Sequence, residues 1–313
     1  MYRREFLRKV LLGGVTLALA KDTSWPKALV GAPSEMKNSA LPTRRLGSTG
    51  YEVGIVSLGG EGVLRTTGRF EEARAVIERA LELGINYCDT APAYQQSQDY
   101  YGRTLGPRRD RIFLASKTHE RSKTGSLRLL TDSLRRLKTD RLDLWQLHDL
   151  RTQGELAQIF GPGGAIEAVD EAKRQGKIRF VGVTGHHDPD ILLSAIGQYP
   201  FDAVLIPVNA ADKVRLSFIE QVIPVATAKG MAVIGMKVLE HGNLFGRLIS
   251  AQDAIAYALS QQVSTVILGC SSPVQVQQNV AAALSFQHLG AREITALEER
   301  LAPRAASFNL FKK

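Results

Sequence analysis

The chain has 313 residues, of which 44% are hydrophobic and 23% charged, so it is long enough for one large core. Its formal net charge is +9, but residues 1–40 hold seven Lys or Arg against three Asp or Glu. The rest carries about +5 without a basic run, which is typical of a solvated surface and not of a nucleic-acid-binding face. We therefore expect one main domain that binds no nucleic acid.

The first 40 residues predict an export signal. The chain begins with paired arginines followed by a Phe-Leu pair and a lysine, at Arg3, Arg4, Phe6, Leu7 and Lys9. The apolar run that follows, residues 10–20, is about half the length needed to cross a bilayer, so we expect no stable membrane span. This arrangement resembles a twin-arginine signal peptide, and residues 21–40 resemble a flexible lead-in. We expect residues 1–40 to engage the export machinery and direct the protein to the periplasm, with a cytoplasmic location as the alternative.

Eight short apolar runs follow in chain order, separated by longer segments. Each run is rich in β-branched residues and alternates little between apolar and polar positions, as in strands that are covered on both faces. The eight predicted strands are residues 55–60, 85–90, 111–117, 142–148, 178–184, 201–208, 231–237 and 263–269.

The longer segments between these runs have a helical period. In residues 70–83 the apolar side chains recur on one stripe, and Gly84 marks the end of the helix. Pro189 and Pro273 predict the starts of two later helices. Proline is tolerated in the first turn of a helix, because the N–H that it lacks would have no partner within the helix there. Eight alternating strand and helix units predict an α/β fold, a (β/α)8 TIM barrel, over residues 41–313.

An open, doubly wound parallel sheet is the alternative fold. Residues 57–62 read SLGGEG and do not match the G-x-G-x-x-G that usually follows the first strand of such a sheet. We also expect an N-terminal β-hairpin within residues 43–54 and an extra C-terminal helix over residues 291–301.

Four titratable side chains lie at or just after the ends of three adjacent predicted strands. They are Asp89, Tyr94, Lys117 and His148. In a TIM barrel the active site is built at the carboxyl ends of the strands, so these side chains should converge at one mouth. Such a set can give a proton to a carbonyl oxygen while a cofactor delivers a hydride to the carbon.

The expected roles of the four residues follow from their pKa values. A free tyrosine has a pKa of about 10, and the Lys117 ammonium should lower the pKa of Tyr94 by favouring the phenolate. Asp89 should keep Lys117 charged, because an unpaired buried ammonium tends to lose its proton. His148 should hydrogen-bond to the carbonyl oxygen and orient the substrate. A buried Lys-Asp pair with only a structural role is the alternative.

Residues 42 to about 286 resemble the aldo-keto reductase superfamily. The similarity lies in D-T-A-x-x-Y, in the lysine of ASKT, in the L-x-x-x-H of the fourth strand and in the terminal S-S-P-x-x-V-x-x-N. It implies an enzyme that reversibly reduces aldehydes or ketones to alcohols, with Tyr94 as the general acid. We expect the protein to be a monomer. The alternative within the same barrel is a cofactor-binding module with little turnover, like the potassium-channel beta subunits.

The resemblance also implies a nicotinamide cofactor site. Its expected contacts are Thr184, Asn209, Met236, Lys237, Gly269, Cys270, Ser271, Gln275, Gln278 and Asn279. Thr184 and Gly185 stand where the family commonly has a Ser-Asn pair, and Met236 stands in place of a stacking aromatic residue. Gln275 replaces the arginine that holds the 2′-phosphate of NADPH. We expect NADP(H) as the cofactor with a weakened preference, and NAD(H) as the alternative.

Two further features predict no separate site. His186 and His187 are adjacent, so we expect their rings to point in different directions and to bind no metal. Cys88 and Cys270 should lie on strands too far apart for a disulfide and should be buried thiols.

Overall fold

The computed structural model describes residues 40–239 and 248–312. The predicted signal peptide lies outside the described residues. The strands are β1 Thr43–Arg45, β2 Glu52–Gly54, β3 Val56–Gly62, β4 Tyr87–Asp89, β5 Phe113–Thr118, β6 Leu142–Leu147, β7 Ile178–Thr184, β8 Ala203–Pro207, β9 Ala232–Met236 and β10 Thr265–Cys270. The α-helices are α1 Phe70–Glu82, α2 Ser97–Thr104, α3 Lys123–Leu137, α4 Gln153–Phe160, α5 Ala165–Arg174, α6 Pro189–Gln198, α7 Phe218–Ala228, α8 Ala251–Leu259, α9 Pro273–Leu284, α10 Ala291–Leu301 and α11 Ala305–Phe308.

Strands β3 to β10 form a closed barrel in the order β10-β3-β4-β5-β6-β7-β8-β9. Every neighbouring pair in the barrel is parallel. The helices lie around this ring, so the predicted (β/α)8 barrel is confirmed and the open sheet is wrong. Among the described residues, no helix is both long and apolar enough to cross a membrane.

The predicted strands form because both of their faces are covered. All six residues of β5 (FLASKT) and all six of β6 (LDLWQL) are buried. The side chains on one face fill the barrel interior, where Tyr87, Phe113 and Leu144 belong to one apolar cluster. Those on the other face pack against the helices.

The N-terminal hairpin contributes to the barrel interior. Strands β1 and β2 pair antiparallel, as predicted, and are joined by a tight turn. Leu46 and Val53 are fully buried and belong to the interior cluster, while Tyr51 packs edge-on against Phe113. The hairpin therefore covers the end of the barrel at which the strands begin. The opposite end, at which the strands finish, stays open for a site.

The helices follow the predicted signals. In α1 the buried residues Ala73, Val76, Ile77 and Ala80 form one stripe, and Gly84 follows with a positive φ of 86° that favours glycine. Pro189 and Pro273 each begin a helix.

Helix α4 is an addition to the sequence prediction. Its capping box, in which Thr152 and Glu155 bond to each other's backbone N–H groups, stabilises its first turn.

The C-terminal segment packs back onto the barrel. After α10 and α11, Lys312 is buried and its Nζ donates to Asp212 Oδ1 at 2.6 Å and to the Arg215 carbonyl at 2.9 Å. Asn309 Nδ2 donates to the Ala211 carbonyl at 2.8 Å. These bonds place the Phe311 ring against His186, with 5.4 Å between ring centroids.

Candidate active site

A cavity of about 430 Å³ lies at the carboxyl ends of the barrel strands. Asp89, Tyr94, Lys117 and His148 all line it, so the structure brings the four predicted catalytic residues together. Eight of the ten predicted cofactor contacts also line this cavity, namely Thr184, Met236, Lys237, Gly269, Ser271, Gln275, Gln278 and Asn279. Asn209 and Cys270 are buried behind its wall.

The centre of the cavity is a buried Asp89–Lys117 ion pair. Lys117 Nζ donates to Asp89 Oδ1 and, at 2.9 Å, to the Thr90 carbonyl, and its side chain has no exposed surface. Gln146 Nε2 donates to the other carboxylate oxygen of Asp89 at 3.0 Å. Burial lowers the pKa of Lys117, but Asp89 and Tyr94 together outweigh it, so the pKa is raised and the ammonium stays charged at neutral pH.

Tyr94 lies directly beside this ammonium. Lys117 Nζ is 4.9 Å from the centroid of the Tyr94 ring, close enough for its positive charge to act on the phenol. Burial nevertheless raises the pKa of Tyr94, and the opposing effect of Lys117 is smaller. The expectation of a net lowered pKa is therefore wrong in direction for the protein alone, because desolvation of the phenol and the negative charges of Asp89 and Glu61 together outweigh the Lys117 ammonium. A raised pKa keeps Tyr94 protonated, which is the form that a proton donor needs.

A glycine leaves room for the Tyr94 ring. A Cβ at Gly60 would lie 2.9 Å from Tyr94 Cδ2 and 2.5 Å from Ser97 Oγ. Such distances are below van der Waals contact, so any side chain at position 60 would displace the tyrosine. The end of β3 is therefore shaped around Tyr94.

His148 completes the group as a neutral imidazole. Its ring stands edge-on to Tyr94, with 6.0 Å between centroids, and Arg121 Nη2 donates to its carbonyl at 2.9 Å. Burial, together with the positive charge of Lys117, lowers the pKa of His148 to about 3. The ring is uncharged at neutral pH and can donate or accept a hydrogen bond at a substrate oxygen.

Two residues of the site were missed by sequence reasoning. Gln146 orients Asp89 from inside β6, and Glu61 lines the cavity at the end of β3 while pairing with Arg65 at 3.0 Å. Glu61 could have been found, because it stands at a strand end as Asp89 and Lys117 do. Gln146 gave no such signal, since it lies within an apolar run.

The far end of the cavity fits the phosphates of a dinucleotide. Helix α9 begins there, with Ser272 Oγ accepting from the Gln275 N–H at 3.3 Å, and its first turn is uncharged. The positive end of the helix dipole favours an anion at this position. Ser271 N–H donates to Gln275 Oε1 at 2.7 Å, so Gln275 also holds the loop before the helix.

The wall behind this loop is tightly packed. A Cβ at Gly62 would lie 2.5 Å from the Cys270 carbonyl oxygen, so β3 and β10 approach closely. Asn279 Nδ2 donates to Cys270 Sγ at 3.3 Å. Cys88 and Cys270 are buried free thiols, as predicted, and burial raises the pKa of each to about 12. Cys270 therefore supports the loop from behind.

The remaining predicted cofactor contacts lie at strand ends between the Asp89–Lys117 pair and the start of α9. Thr184 Oγ1 accepts from the Asp149 N–H at 2.9 Å and faces the cavity. Lys237 has a left-handed backbone, with φ 56°, and its Nζ lies 4.4 Å from the centroid of the Phe311 ring. Asn209 Nδ2 donates to the Lys237 carbonyl at 3.2 Å, so Asn209 supports Lys237 from behind. Together these residues and α9 fit a nicotinamide dinucleotide in a cavity of ordinary ligand-pocket size.

The adjacent histidines are arranged differently from the prediction. His186 Nδ1 and His187 Nε2 each lie 3.2 Å from Asp149 Oδ1, and their ring centroids are 4.4 Å apart. The expectation that the two rings point apart is therefore wrong, and with it the argument against a metal at this position. The sequence gives no signal for Asp149 as the third group, because it lies 37 residues before His186.

Known proteins resemble this chain in sequence and in structure. A family model described as "Aldo/keto reductase family" matches residues 53–251. L-galactose dehydrogenase of Arabidopsis thaliana is 30% identical over 82% of this chain and 93% of its own length. The uncharacterized oxidoreductase YqkF of Bacillus subtilis (strain 168) is 27% identical over 82% of this chain and 95% of its own.

Two solved structures share the fold. The holo form of aldo-keto reductase AKR11C1 from Bacillus halodurans superposes with a TM-score of 0.71 and 26% identity, over 83% of this chain and 96% of that one. An aldo-keto reductase from Klebsiella pneumoniae in complex with NADPH superposes with a TM-score of 0.69 and 23% identity, over 83% of this chain and 95% of that one.

Proposed function

Because the chain belongs to the aldo/keto reductase family and is an NAD(P)H-dependent oxidoreductase, we propose that it reversibly reduces an aldehyde or ketone with Tyr94 as the proton donor. The observation that carries this proposal is the protonated Tyr94 phenol beside the buried Lys117 ammonium, in one cavity with His148. A purely structural Lys-Asp pair would need neither the tyrosine nor the cavity.

The chain's own residues act on the carbonyl oxygen. When bound, the nicotinamide cofactor supplies a hydride to the carbonyl carbon. Tyr94 Oη gives its proton to the carbonyl oxygen, and the phenolate left behind is stabilised by the Lys117 ammonium. Asp89 keeps Lys117 charged, and neutral His148 donates a hydrogen bond that orients the substrate oxygen. In the oxidation direction the same groups remove the proton from the alcohol.

We propose NADP(H) as the preferred cofactor, with a modest preference over NAD(H). Lys237 and the N-terminus of α9 would hold the diphosphate and the adenosine phosphate, respectively. Gln275 offers dipoles and no charge to a dianionic 2′-phosphate, so the preference should be weaker than an arginine gives. Dissociation constants for NADPH and NADH, measured by quenching of protein fluorescence, test this. A large NADPH preference would mean that another cation binds the phosphate.

We propose hydroxylated carbonyl compounds as the substrate class. The Glu61 carboxylate faces the cavity close enough to raise the pKa of Tyr94, and it can accept hydrogen bonds from substrate hydroxyl groups. The name of the Arabidopsis relative, L-galactose dehydrogenase, supports the same class. A matched pair of aldehydes with and without hydroxyl groups tests it. A lower KM for the hydroxylated compound that disappears in Glu61→Gln is expected, and equal KM values would contradict it.

A single-turnover experiment tests the reaction itself. Protein loaded with NADPH is mixed with a panel of aldehydes and ketones, and the loss of NADPH absorbance is followed. We expect rapid loss with at least one carbonyl compound and none with the corresponding alcohols. A panel that leaves NADPH untouched would support a cofactor-binding module with little turnover.

We also propose that residues 1–40 act as a twin-arginine export signal and that the barrel is a monomer. The paired arginines and the short apolar run support export. Fusing residues 1–40 to a reporter tests it, with a double Arg3→Lys, Arg4→Lys variant as the control. A reporter found only in the cytoplasm would overturn the export proposal.

Analytical ultracentrifugation tests the proposed monomer. Sedimentation of the barrel as a dimer would overturn it.

A further inference from the structure

Asp149, His186 and His187 present three ligand atoms to one point at the edge of the cavity. Asp149 follows β6, and the two histidines follow β7, so two neighbouring strand ends supply them. His186 also lines the cavity itself. From this arrangement we propose that the three side chains bind a divalent first-row transition metal ion such as Zn²⁺.

The spacing of the ligand atoms fits one ion. Asp149 Oδ1 is 3.2 Å from His186 Nδ1 and 3.2 Å from His187 Nε2, and all three atoms lie within 4.8 Å of one another. Two ligands bound at about 2.1 Å to a tetrahedral ion are roughly 3.4 Å apart. A small shift of the imidazoles would therefore bring all three atoms to bonding distance. Three protein ligands leave at least one coordination position for water.

Two of these atoms lack the hydrogen bond that burial normally demands. Asp149 Oδ1 and His187 Nε2 are both buried, and among the described residues neither atom makes a hydrogen bond of standard geometry. The two atoms are close enough for a hydrogen bond to each other, but their angles do not meet the geometry of one. Buried acceptors without donors are costly, and an ion between them removes that cost.

The backbone of Asp149 is left-handed at the turn after β6. Asp149 has a left-handed φ of 58°, which non-glycine residues seldom adopt. Its N–H donates to Thr184 Oγ1 at 2.9 Å, and the Leu150 N–H donates to the Thr184 carbonyl at 2.8 Å. These two bonds fix the turn after β6 against the end of β7, where the histidines follow.

The second oxygen of Asp149 is already held. Arg151 Nε donates to Asp149 Oδ2 at 2.9 Å, so the carboxylate is oriented with only Oδ1 free for an ion. Carboxylates that bind metals are commonly held by such a second hydrogen bond. The positive charges of Arg151 and Lys237 act on the histidines and should weaken the affinity relative to a site without them.

The ligand types decide the class of metal. Two imidazoles and one carboxylate suit Zn²⁺, Co²⁺, Ni²⁺ or Cu²⁺, whereas Mg²⁺ and Ca²⁺ prefer sites made of oxygen atoms. We therefore expect Zn²⁺ to bind and Mg²⁺ in excess not to displace it.

Calorimetric titration of the untagged full chain with Zn²⁺ tests the site. We expect one equivalent to bind, and the affinity to fall by at least about tenfold in Asp149→Asn and in His187→Gln. His288→Gln is the matched control, because His288 is an exposed histidine on a different loop. Absence of stoichiometric binding, or equal binding by the wild type and both site variants, would overturn the proposal.

A spectroscopic measurement covers the case in which a variant does not fold. Co²⁺ added to the wild-type protein should give the intense visible absorption of a four-coordinate ion with nitrogen ligands, and Zn²⁺ should abolish it. The weak spectrum of hydrated Co²⁺ would overturn the proposal without any variant.

Discussion

The Asp89→Asn substitution separates the structural and chemical roles of the central ion pair. Removing one partner of a buried pair costs about 3–5 kcal/mol, and both partners here are almost fully buried. Asparagine offers Lys117 an uncharged acceptor and presents an N–H₂ group to Gln146 in place of an oxygen, so the charge-assisted bond to Lys117 is weakened and the Gln146 bond must rearrange. Asp89 also maintains the raised pKa of Lys117, so the variant should leave a neutral amine that no longer stabilises a Tyr94 phenolate. Urea unfolding should show the lost stability, and single-turnover NADPH oxidation should slow.

A second buried pair in the same chain provides the control. Lys312 and Asp212 are as deeply buried as the central pair but do not line the cavity. Asp212→Asn should therefore lose stability in the same range, while its hydride transfer is slowed much less. If Asp89→Asn transferred hydride as fast as Asp212→Asn, or lost less than about 1 kcal/mol of stability, the reasoning would be refuted.

Three further predictions concern single residues of the site. Burial lowers the pKa of His148 to about 3, against about 6.5 when unfolded, so its contribution to stability is complete above pH 6.5 and is lost as the pH falls toward 3. In that pH window the unfolding free energy of the wild type should rise with pH, and His148→Asn should reduce this rise by up to about 1.4 kcal/mol per pH unit. An unchanged pH dependence in the variant would contradict the claim that the His148 imidazole is neutral in the folded protein. Gln275→Arg should raise NADPH affinity over NADH by about tenfold or more in fluorescence titrations, since a charge-assisted bond contributes about 1.5–3 kcal/mol; an unaltered ratio would remove position 275 from the phosphate site. Gly60→Ala should displace Tyr94 and slow hydride transfer by about 100-fold with little change in cofactor affinity, whereas a wild-type rate would show that the ring has room to spare.

The barrel could be predicted because its strands are covered on both faces and its helices carry clear boundaries. The predicted ends of individual strands were less accurate than the predicted fold. The second barrel strand was expected at 85–90 but spans Tyr87–Asp89, and Asn86 just before it bonds through its side chain to the hairpin at Gly54 and Glu52. Such a bond between distant segments leaves no periodic signal in the sequence.

The positions of the four candidate catalytic residues could be predicted, but not all of their electrostatics. Strand ends that converge at one mouth follow from the fold, so Asp89, Tyr94, Lys117 and His148 were found together. The net direction of the Tyr94 pKa depends on how deeply the phenol is buried, which is a property of the packed loop. The convergence of Asp149 with its two histidines depends on a left-handed backbone that its own sequence does not require.

The most direct test of the account is the Tyr94→Phe variant in a single turnover. The substitution removes the hydroxyl group and keeps the ring that fills the space beside Gly60. We predict that hydride transfer from bound NADPH to a carbonyl substrate falls by about 10²–10⁴-fold, while the NADPH dissociation constant stays close to that of the wild type. A transfer rate near that of the wild type would contradict the claim that Tyr94 gives the proton.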